Sequence, residues 1–307
     1  MCALSLAILL AAAAPLAAED VPNVAQTPPV LTEADVIAIG TDVPGRLTVP
    51  VRIGESGPYP FTIDTGAERT VISRELATLL NLARGPDVRV VQMAGRSDTN
   101  TAIIPRIRVN TLGGEQIEAP IFRGADLGAP GLLGLDSLKN RAVTIDFDKN
   151  EMTVRAKSRR LSSYPKEPGE IVISARSLLG QLVVTDASYR GRRVRVVLDT
   201  GTSVSIGNNK LRQLVNERGR EVRPISVVSV AGSEVTADYL QIGRFSISSL
   251  TFENLPVAFA DALPFERLGL NDGPALLLGM DALRQFRRVD IDFANREVRL
   301  SLPRAAG

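Results

Sequence analysis

The hexapeptide Phe61-Thr62-Ile63-Asp64-Thr65-Gly66 recurs 135 residues later as Val196-Val197-Leu198-Asp199-Thr200-Gly201. The same offset carries Ser73 onto Asn208, Leu76 onto Leu211, Leu79 onto Leu214 and Leu80 onto Val215. The match runs without a gap from an apolar strand, through a turn, into a segment with the i, i+3, i+4 apolar spacing of an amphipathic helix. Ser73 and Asn208 are both residue types that cap helix N-termini. Downstream, Val91-Gln92-Met93-Ala94-Gly95 parallels Val228-Ser229-Val230-Ala231-Gly232, and Leu132-Leu133-Gly134-Leu135-Asp136 parallels Leu277-Leu278-Gly279-Met280-Asp281. Val143-Thr144-Ile145-Asp146-Phe147 then returns as Val289-Asp290-Ile291-Asp292-Phe293. The second copy is the longer, and its surplus falls where Pro and Gly concentrate, between Asp261 and Pro274. A chain duplicated in this way folds as two like lobes, and 307 residues suffice for two cores.

The boundaries follow from composition. Residues 1–18 read as a signal peptide: an Ala/Leu-rich run too short for a comfortable membrane span, ending in Leu16-Ala17-Ala18 before Glu19, although without Lys or Arg ahead of it. Residues 19–31 are a loose Pro- and Ala-rich arm. Lobe 1 covers 32–157, a charged linker with two prolines covers 158–168, and lobe 2 covers 169–304. The leader directs the chain to the periplasm or beyond, or retains it at the membrane if it stays uncleaved. Within each lobe the segments are short, rich in Val and Ile, and bounded by turn residues. Asp148-Lys149-Asn150 and Ala294-Asn295-Arg296 read as hairpin turns, with Asp146 and Asp292 at the strand ends before them. The class is mainly β, two lobes related by a pseudo-twofold axis with one or two short helices each.

What is missing narrows the chemistry. The chain has no histidine, no tryptophan and one cysteine, Cys2. Ser-His-Asp and Cys-His catalysis both lack their base. A His or Cys zinc site and an intrachain disulfide are excluded. With 36 basic against 34 acidic side chains, net +2, there is no field that would recruit nucleic acid. Arg190-Gly191-Arg192-Arg193-Val194-Arg195 reads as an exposed hairpin, not a binding patch. Carboxylates remain. Asp64 and Asp199 each end an apolar strand and precede a glycine that permits a sharp turn. A pseudo-twofold axis can set them face to face, and two carboxylates so placed share one proton, which supplies one acid and one base. Asp136 and Asp281 read instead as helix N-caps.

These motifs resemble those of the retropepsin-like aspartic proteases, here as two tandem domains in one chain. The resemblance rests on Asp64-Thr65-Gly66-Ala67, Asp199-Thr200-Gly201-Thr202, Leu132-Leu133-Gly134 and Leu277-Leu278-Gly279. It implies two acid-protease β-barrel lobes, a catalytic Asp64/Asp199 dyad, and catalytic loops supported by Thr65, Gly66, Thr200, Gly201 and Thr202. It also implies substrate-covering flaps with tips near Ala94-Gly95 and Ala231-Gly232. Retropepsins are usually homodimers of one such domain, whereas this chain holds both halves, as pepsin does. It lacks pepsin's disulfides and flap tyrosine. The implied activity is endopeptidase cleavage of a polypeptide by a monomer that needs neither cofactor nor metal. The alternative is a silent module that kept the cleft to bind peptides. Pairing of each lobe with its twin in a second chain is a further rival, disfavoured by the divergence of the copies. The Thr202 hydroxyl, matched by Ala67 in lobe 1, would make Asp199 the more acidic partner if it donates to that carboxylate.

Overall fold

The computed structural model describes residues 35–38, 47–93, 95–109, 112–138, 141–156, 160–215, 222–228 and 234–304. The leader, the arm and three of the four flap-tip residues, Ala94, Ala231 and Gly232, lie outside these.

Each lobe is built around a parallel pair at its Asp-Thr-Gly strand, in a mixed sheet with a second parallel pair, Val71–Ser73 with Ile117–Phe122 in lobe 1 and Ile206–Gly207 with Leu255–Phe259 in lobe 2. In lobe 1 the strand Ser56–Ile63 leads into Asp64, and Gly131–Leu133 lies parallel beside it, with Leu132 opposite Thr62 and Leu133 opposite Ile63. The far edge of Gly131–Leu133 pairs antiparallel with Val71–Ser73. Lobe 2 repeats this: Arg195–Leu198 leads into Asp199, Ala275–Leu278 runs parallel to it, and Ile206–Gly207 closes the other side. These strands are buried where they approach the aspartates, which explains their unbroken apolar sequence there. Behind each, Arg74–Leu79 is capped by Ser73, whose Oγ accepts the Leu76 N–H at 3.1 Å. Asn209–Leu214 is capped by Asn208, whose Oδ1 accepts the Leu211 N–H at 2.9 Å.

The described residues of each lobe contain three short helices, one more than the upper sequence reading. The additions are Gly124–Leu127 in lobe 1 and Leu263–Arg267 in lobe 2, four and five residues long, too short for a helical period to show.

A sheet shared by both lobes joins them. Its strands run in the order Asp35–Ala38, Glu151–Ala156, Arg141–Asp146, Arg288–Asp292, Glu297–Ser301 and Glu170–Leu178. The seam is the antiparallel pair Arg141–Asp146 with Arg288–Asp292, which sets Ile145 against Val289 and Thr144 against Asp290. Both faces are covered, as the continuous burial of Glu297–Ser301 shows. The buried Asp290 accepts from the Thr144 hydroxyl and from the Arg288 guanidinium at 2.7 Å, the pairing that a carboxylate inside a sheet requires. Both hairpin turns anticipated in this sheet form, with Asp146 and Asp292 accepting the Lys149 and Asn295 N–H groups. Arg190 and Gly191 likewise form an exposed hairpin turn with positive φ. Residues 160–168 are docked, not slack: Leu161 is buried, and the Ser162 hydroxyl donates to Glu297 at 2.7 Å.

One continuous apolar core includes Phe61 and Ile145 of lobe 1 together with Val196 and Val289 of lobe 2. The lobes should therefore lose structure together. Ile145→Ala, at a fully buried seam position, should cost about 2–4 kcal/mol. It should shift a single urea transition followed by circular dichroism. A separate, unshifted transition for lobe 2 would contradict the shared core.

Candidate active site

The two Asp-Thr-Gly loops meet through their threonines. The Thr65 N–H donates to Thr200 Oγ1 at 3.1 Å, and the Thr200 N–H donates to Thr65 Oγ1 at 3.1 Å. Each hydroxyl then donates onward across the axis, Thr65 to the Leu198 carbonyl at 2.9 Å and Thr200 to the Ile63 carbonyl at 3.0 Å. Thr65 is 3% exposed and Thr200 fully buried, so water does not compete for these bonds. The acceptor carbonyls belong to the residues immediately before the two aspartates. The grip therefore fixes both carboxylates at once.

Asp64 and Asp199 point into the junction. Asp64 Oδ1 accepts the Gly66 and Ala67 N–H groups at 2.8 and 2.9 Å, and Asp199 Oδ1 accepts the Gly201 N–H at 2.9 Å. Each carboxylate also lies against the glycine of the opposite loop. A Cβ on Gly66 would stand 2.7 Å from the Asp199 carboxyl carbon, and one on Gly201 would collide with the Asp64 carboxyl. The third position of the motif has to be glycine because the other lobe's carboxylate occupies the space of a side chain.

A second layer holds the loops from beneath. The Asp64 and Asp199 N–H groups donate to the Leu133 and Leu278 carbonyls, both at 3.0 Å. Asp136 and Asp281 belong here. They sit inside the first turn of Leu135–Leu138 and Met280–Leu283, not at the cap, and their carboxylates reach back to the catalytic loops. Asp136 accepts the Thr70 hydroxyl at 2.6 Å, and Asp281 accepts the Ser205 hydroxyl at 2.7 Å. Those hydroxyls accept the Gly134 and Gly279 N–H groups at 3.1 and 3.0 Å. Each carboxylate accepts the N–H of the next residue, Ser137 or Ala282, at 2.8 Å, but the cap reading missed the distant partners Thr70 and Ser205.

Thr202 does not do what its sequence position suggested. Its hydroxyl lies 3.5 Å from the Asp199 main-chain carbonyl, to which it donates, so the reason for making Asp199 the more acidic partner is gone. Asp199 is the more buried of the two, 6% exposed, while Asp64 is half-buried.

The pair lies at the floor of a cleft of about 520 Å³ lined by both lobes. Val71, Val90 and Phe122 form an apolar wall on one side, and Val204, Ile206 and Ile225 form one on the other. Above lie two hairpins. That of lobe 1, Arg84–Gln92 with Gly95–Ile104, has Gln92 opposite Gly95 at its tip. That of lobe 2 is Arg223–Val228 with Glu234–Ile242. The lobe 1 tip is docked on the surplus segment of lobe 2: the Leu263 N–H donates to the Met93 carbonyl at 3.3 Å, and Arg96 pairs with Glu266 at 3.0 Å. Arg267 grips Glu68, next to the lobe 1 catalytic loop, at 2.6 and 2.7 Å. Neither this dock nor Gln181, a buried amide that lines the cleft, was singled out from sequence, because neither has a like residue in the other copy. No group of three or more Asp or Glu among the described residues stands close enough to hold a metal ion.

A two-lobed β fold with paired Asp-Thr-Gly loops on a pseudo-twofold axis defines the acid-protease class. Residues 49–140 match the model of the family described as "gag-polyprotein putative aspartyl protease", and residues 185–282 match that of the "Aspartyl protease" family. One match falls on each lobe, and together they span more than half of the chain. The chain belongs to the retropepsin-like aspartyl proteases, with two of their domains in tandem. No curated protein matches it significantly.

Burial pushes the Asp281 carboxyl above its ordinary value, against the pull of its Ser205 and Ala282 donors. The folded protein then holds this proton more tightly than the unfolded chain does. Its contribution to stability is full below the unfolded aspartate value, near pH 4, and is lost as pH rises through the folded one. Relative to the non-titrating Asp281→Asn variant, the native protein should lose ground as pH rises above about 4. Urea midpoints of the two proteins that differ by the same amount across that rise would contradict this.

Proposed function

We propose that the chain is an exported aspartic endopeptidase that works as a monomer, its two lobes supplying one active site. The reciprocal Thr65–Thr200 grip carries this reading, because it gives each carboxylate a fixed place against the opposite lobe. Two carboxylates held in this way at the floor of a partly apolar cleft retain one proton between them; aspartic proteases are the established example of such a pair.

Asp199, the more buried, holds the proton, and Asp64, with two main-chain N–H groups on Oδ1, is the anion. Asp64 takes a proton from a water between the carboxyls as the water oxygen bonds to the scissile carbonyl carbon. Asp199 gives its proton to the carbonyl oxygen, which produces a neutral gem-diol. In the second half, the proton now on Asp64 passes to the amide nitrogen. The C–N bond breaks, and Asp199 recovers a proton from a diol hydroxyl as the carbonyl reforms. An acid and an amine leave, and the pair is restored to one proton. No histidine, metal or covalent intermediate takes part.

The substrate is an extended polypeptide. The outer strand of each flap, Arg84–Gln92 and Arg223–Val228, is the edge of its sheet, and both contribute lining residues to the cleft. Edge strands offer unpaired main-chain groups to an added strand. The apolar walls suit apolar side chains on either side of the cleaved bond.

Asp64→Asn and Asp199→Asn should each abolish cleavage of an unfolded protein at mildly acidic pH. Mixing the two variants should restore nothing, and specific activity should not fall on dilution. A single variant that keeps half the native rate would defeat the one-chain site. A native protein that binds peptide without cutting it would favour the silent module. Export makes its own demand: N-terminal sequencing of the exported protein should begin at Glu19, and a chain that still starts at Met1 would remove the signal-peptide reading.

A further inference from the structure

The loop of Asp64 is reached by a side chain of the opposite lobe. Gln181, 6% exposed, opens the lobe 2 strand Gln181–Val184 and lines the cleft. Its Nε2 donates to the Gly66 carbonyl at 2.5 Å. That carbonyl belongs to the same peptide group as the Ala67 N–H, which donates to Asp64 Oδ1 at 2.9 Å. The path is continuous: Gln181 amide, Gly66–Ala67 peptide, Asp64 carboxylate. A donor on a peptide oxygen withdraws electron density from the nitrogen and strengthens the bond its N–H makes.

The surrounding backbone is arranged to deliver this side chain. Leu178 pairs with Gln181 across a two-residue turn in which both Leu179 (φ 50°) and Gly180 (φ 89°) are left-handed. The twist of the strands calls for such a turn, but an unbranched glycine or asparagine is its usual first residue. Leucine there holds a costly conformation. A Cβ on Gly180 would lie 3.4 Å from Leu135 Cδ1, so the turn rests on lobe 1.

We propose that Gln181 is a positioning residue contributed by lobe 2, which polarises the Gly66–Ala67 peptide and so stabilises the anionic form of Asp64. The relay lets one lobe act on the aspartate of the other. It rests on the protease reading only for its consequence in catalysis. The charged groups lining the same cleft are Asp199 on the facing loop, Glu68 and Arg69 on the loop of Asp64, Arg89 on the flap and Arg267 on the lobe 2 helix. The three arginines are paired with carboxylates, Arg69 with Glu118, Arg89 with Asp98 and Arg267 with Glu68. Asp199 is the group that opposes a charge on Asp64 most directly.

The test uses the mature chain with Gln181→Leu and Gln181→Glu. Carboxyl-carbon NMR of aspartate-labelled protein, with the Asp64 signal assigned by its loss in Asp64→Asn, reads the titration without any need for activity. In Gln181→Leu the Asp64 midpoint should rise by about half a pH unit, and the acidic limb of kcat/KM should move with it. kcat should fall roughly three- to tenfold with KM little changed. Gln181→Glu carries a sharper signature. Its protonated acid can donate to the Gly66 carbonyl, so it should behave like the native protein at low pH and fail once the introduced carboxyl ionises. An unmoved Asp64 midpoint in Gln181→Leu, or a Gln181→Glu profile parallel to the native one, would overturn the relay. If Gln181→Leu does not fold, the Gln181→Glu profile decides alone. A shifted Asp64 in a protein that cuts nothing would keep the relay and remove the protease reading. Normal titration in an active protease would do the reverse.

Discussion

Two carboxylates do not come together unforced. At about 4 Å and an effective dielectric near 20, a pair of like charges repels by about 4 kcal/mol. Sharing a proton removes most of that, but only once the geometry is already imposed. The Thr65–Thr200 grip imposes it. Its four bonds at roughly 1 kcal/mol each are of the same order as the repulsion, and all lie where water cannot replace them. Much of the remaining structure serves this crossing. The strands before the aspartates end at the carbonyls that the hydroxyls use. The glycines after the threonines clear space for the opposite carboxylates. The Thr70–Asp136 and Ser205–Asp281 bonds hold both loops from below.

The shared sheet is the mechanical counterpart of the grip. Bonds between two loop tips would not hold two independent domains in register, because a small rotation of either lobe would part the threonines. The pairing of Arg141–Asp146 with Arg288–Asp292 ties the lobes along five residue pairs outside the Asp-Thr-Gly loops. The buried Asp290, with Thr144 on the opposite strand and Arg288 on its own, penalises a slip of register, since a shifted strand would leave that carboxylate without partners. Position at the site is thus fixed at two ends, one polar and local, the other a sheet that both chain halves must complete.

The repeat made the architecture legible, for a physical reason. The constraints on Asp64-Thr65-Gly66 and on Leu132-Leu133-Gly134 are met within short stretches whose chemistry the second copy must reproduce to make the same contacts. Ser73 and Asn208 were readable as caps because a cap bonds to a residue three positions on. Asp136 and Asp281 were misread for the converse reason: a carboxylate one turn into a helix looks like a cap until the fold brings Thr70 and Ser205 over it. Thr202 misled because a hydroxyl in sequence next to a catalytic loop has two acceptors in reach, and it chose the carbonyl. Gln181 and the dock of Leu263–Arg267 on the lobe 1 flap left no trace. The repeat offset sets Gln181 against Arg46, so comparison of the copies offers nothing there. The dock lies in the connection between Leu255–Phe259 and Ala275–Leu278, which is longer than its lobe 1 counterpart.

These silent positions share a property: each lies where the two lobes differ. An exact twofold would give the carboxylates identical surroundings, and the shared proton would have no preferred side. Hydrolysis requires a base on one side and an acid on the other at the moment water attacks. Chain fusion permits what a dimer of identical subunits cannot, because each copy is free to change alone. Asp199 is more deeply buried than Asp64, Gln181 reaches the loop of Asp64, and the lobe 2 helix holds the lobe 1 flap and Glu68. All three differences are additions around a frame that stays symmetric where force must balance, at the grip and beneath it. Symmetry in this fold belongs to the holding of the aspartates and asymmetry to their surroundings, which is why a reading of the repeat alone finds the pair but not what tells its members apart.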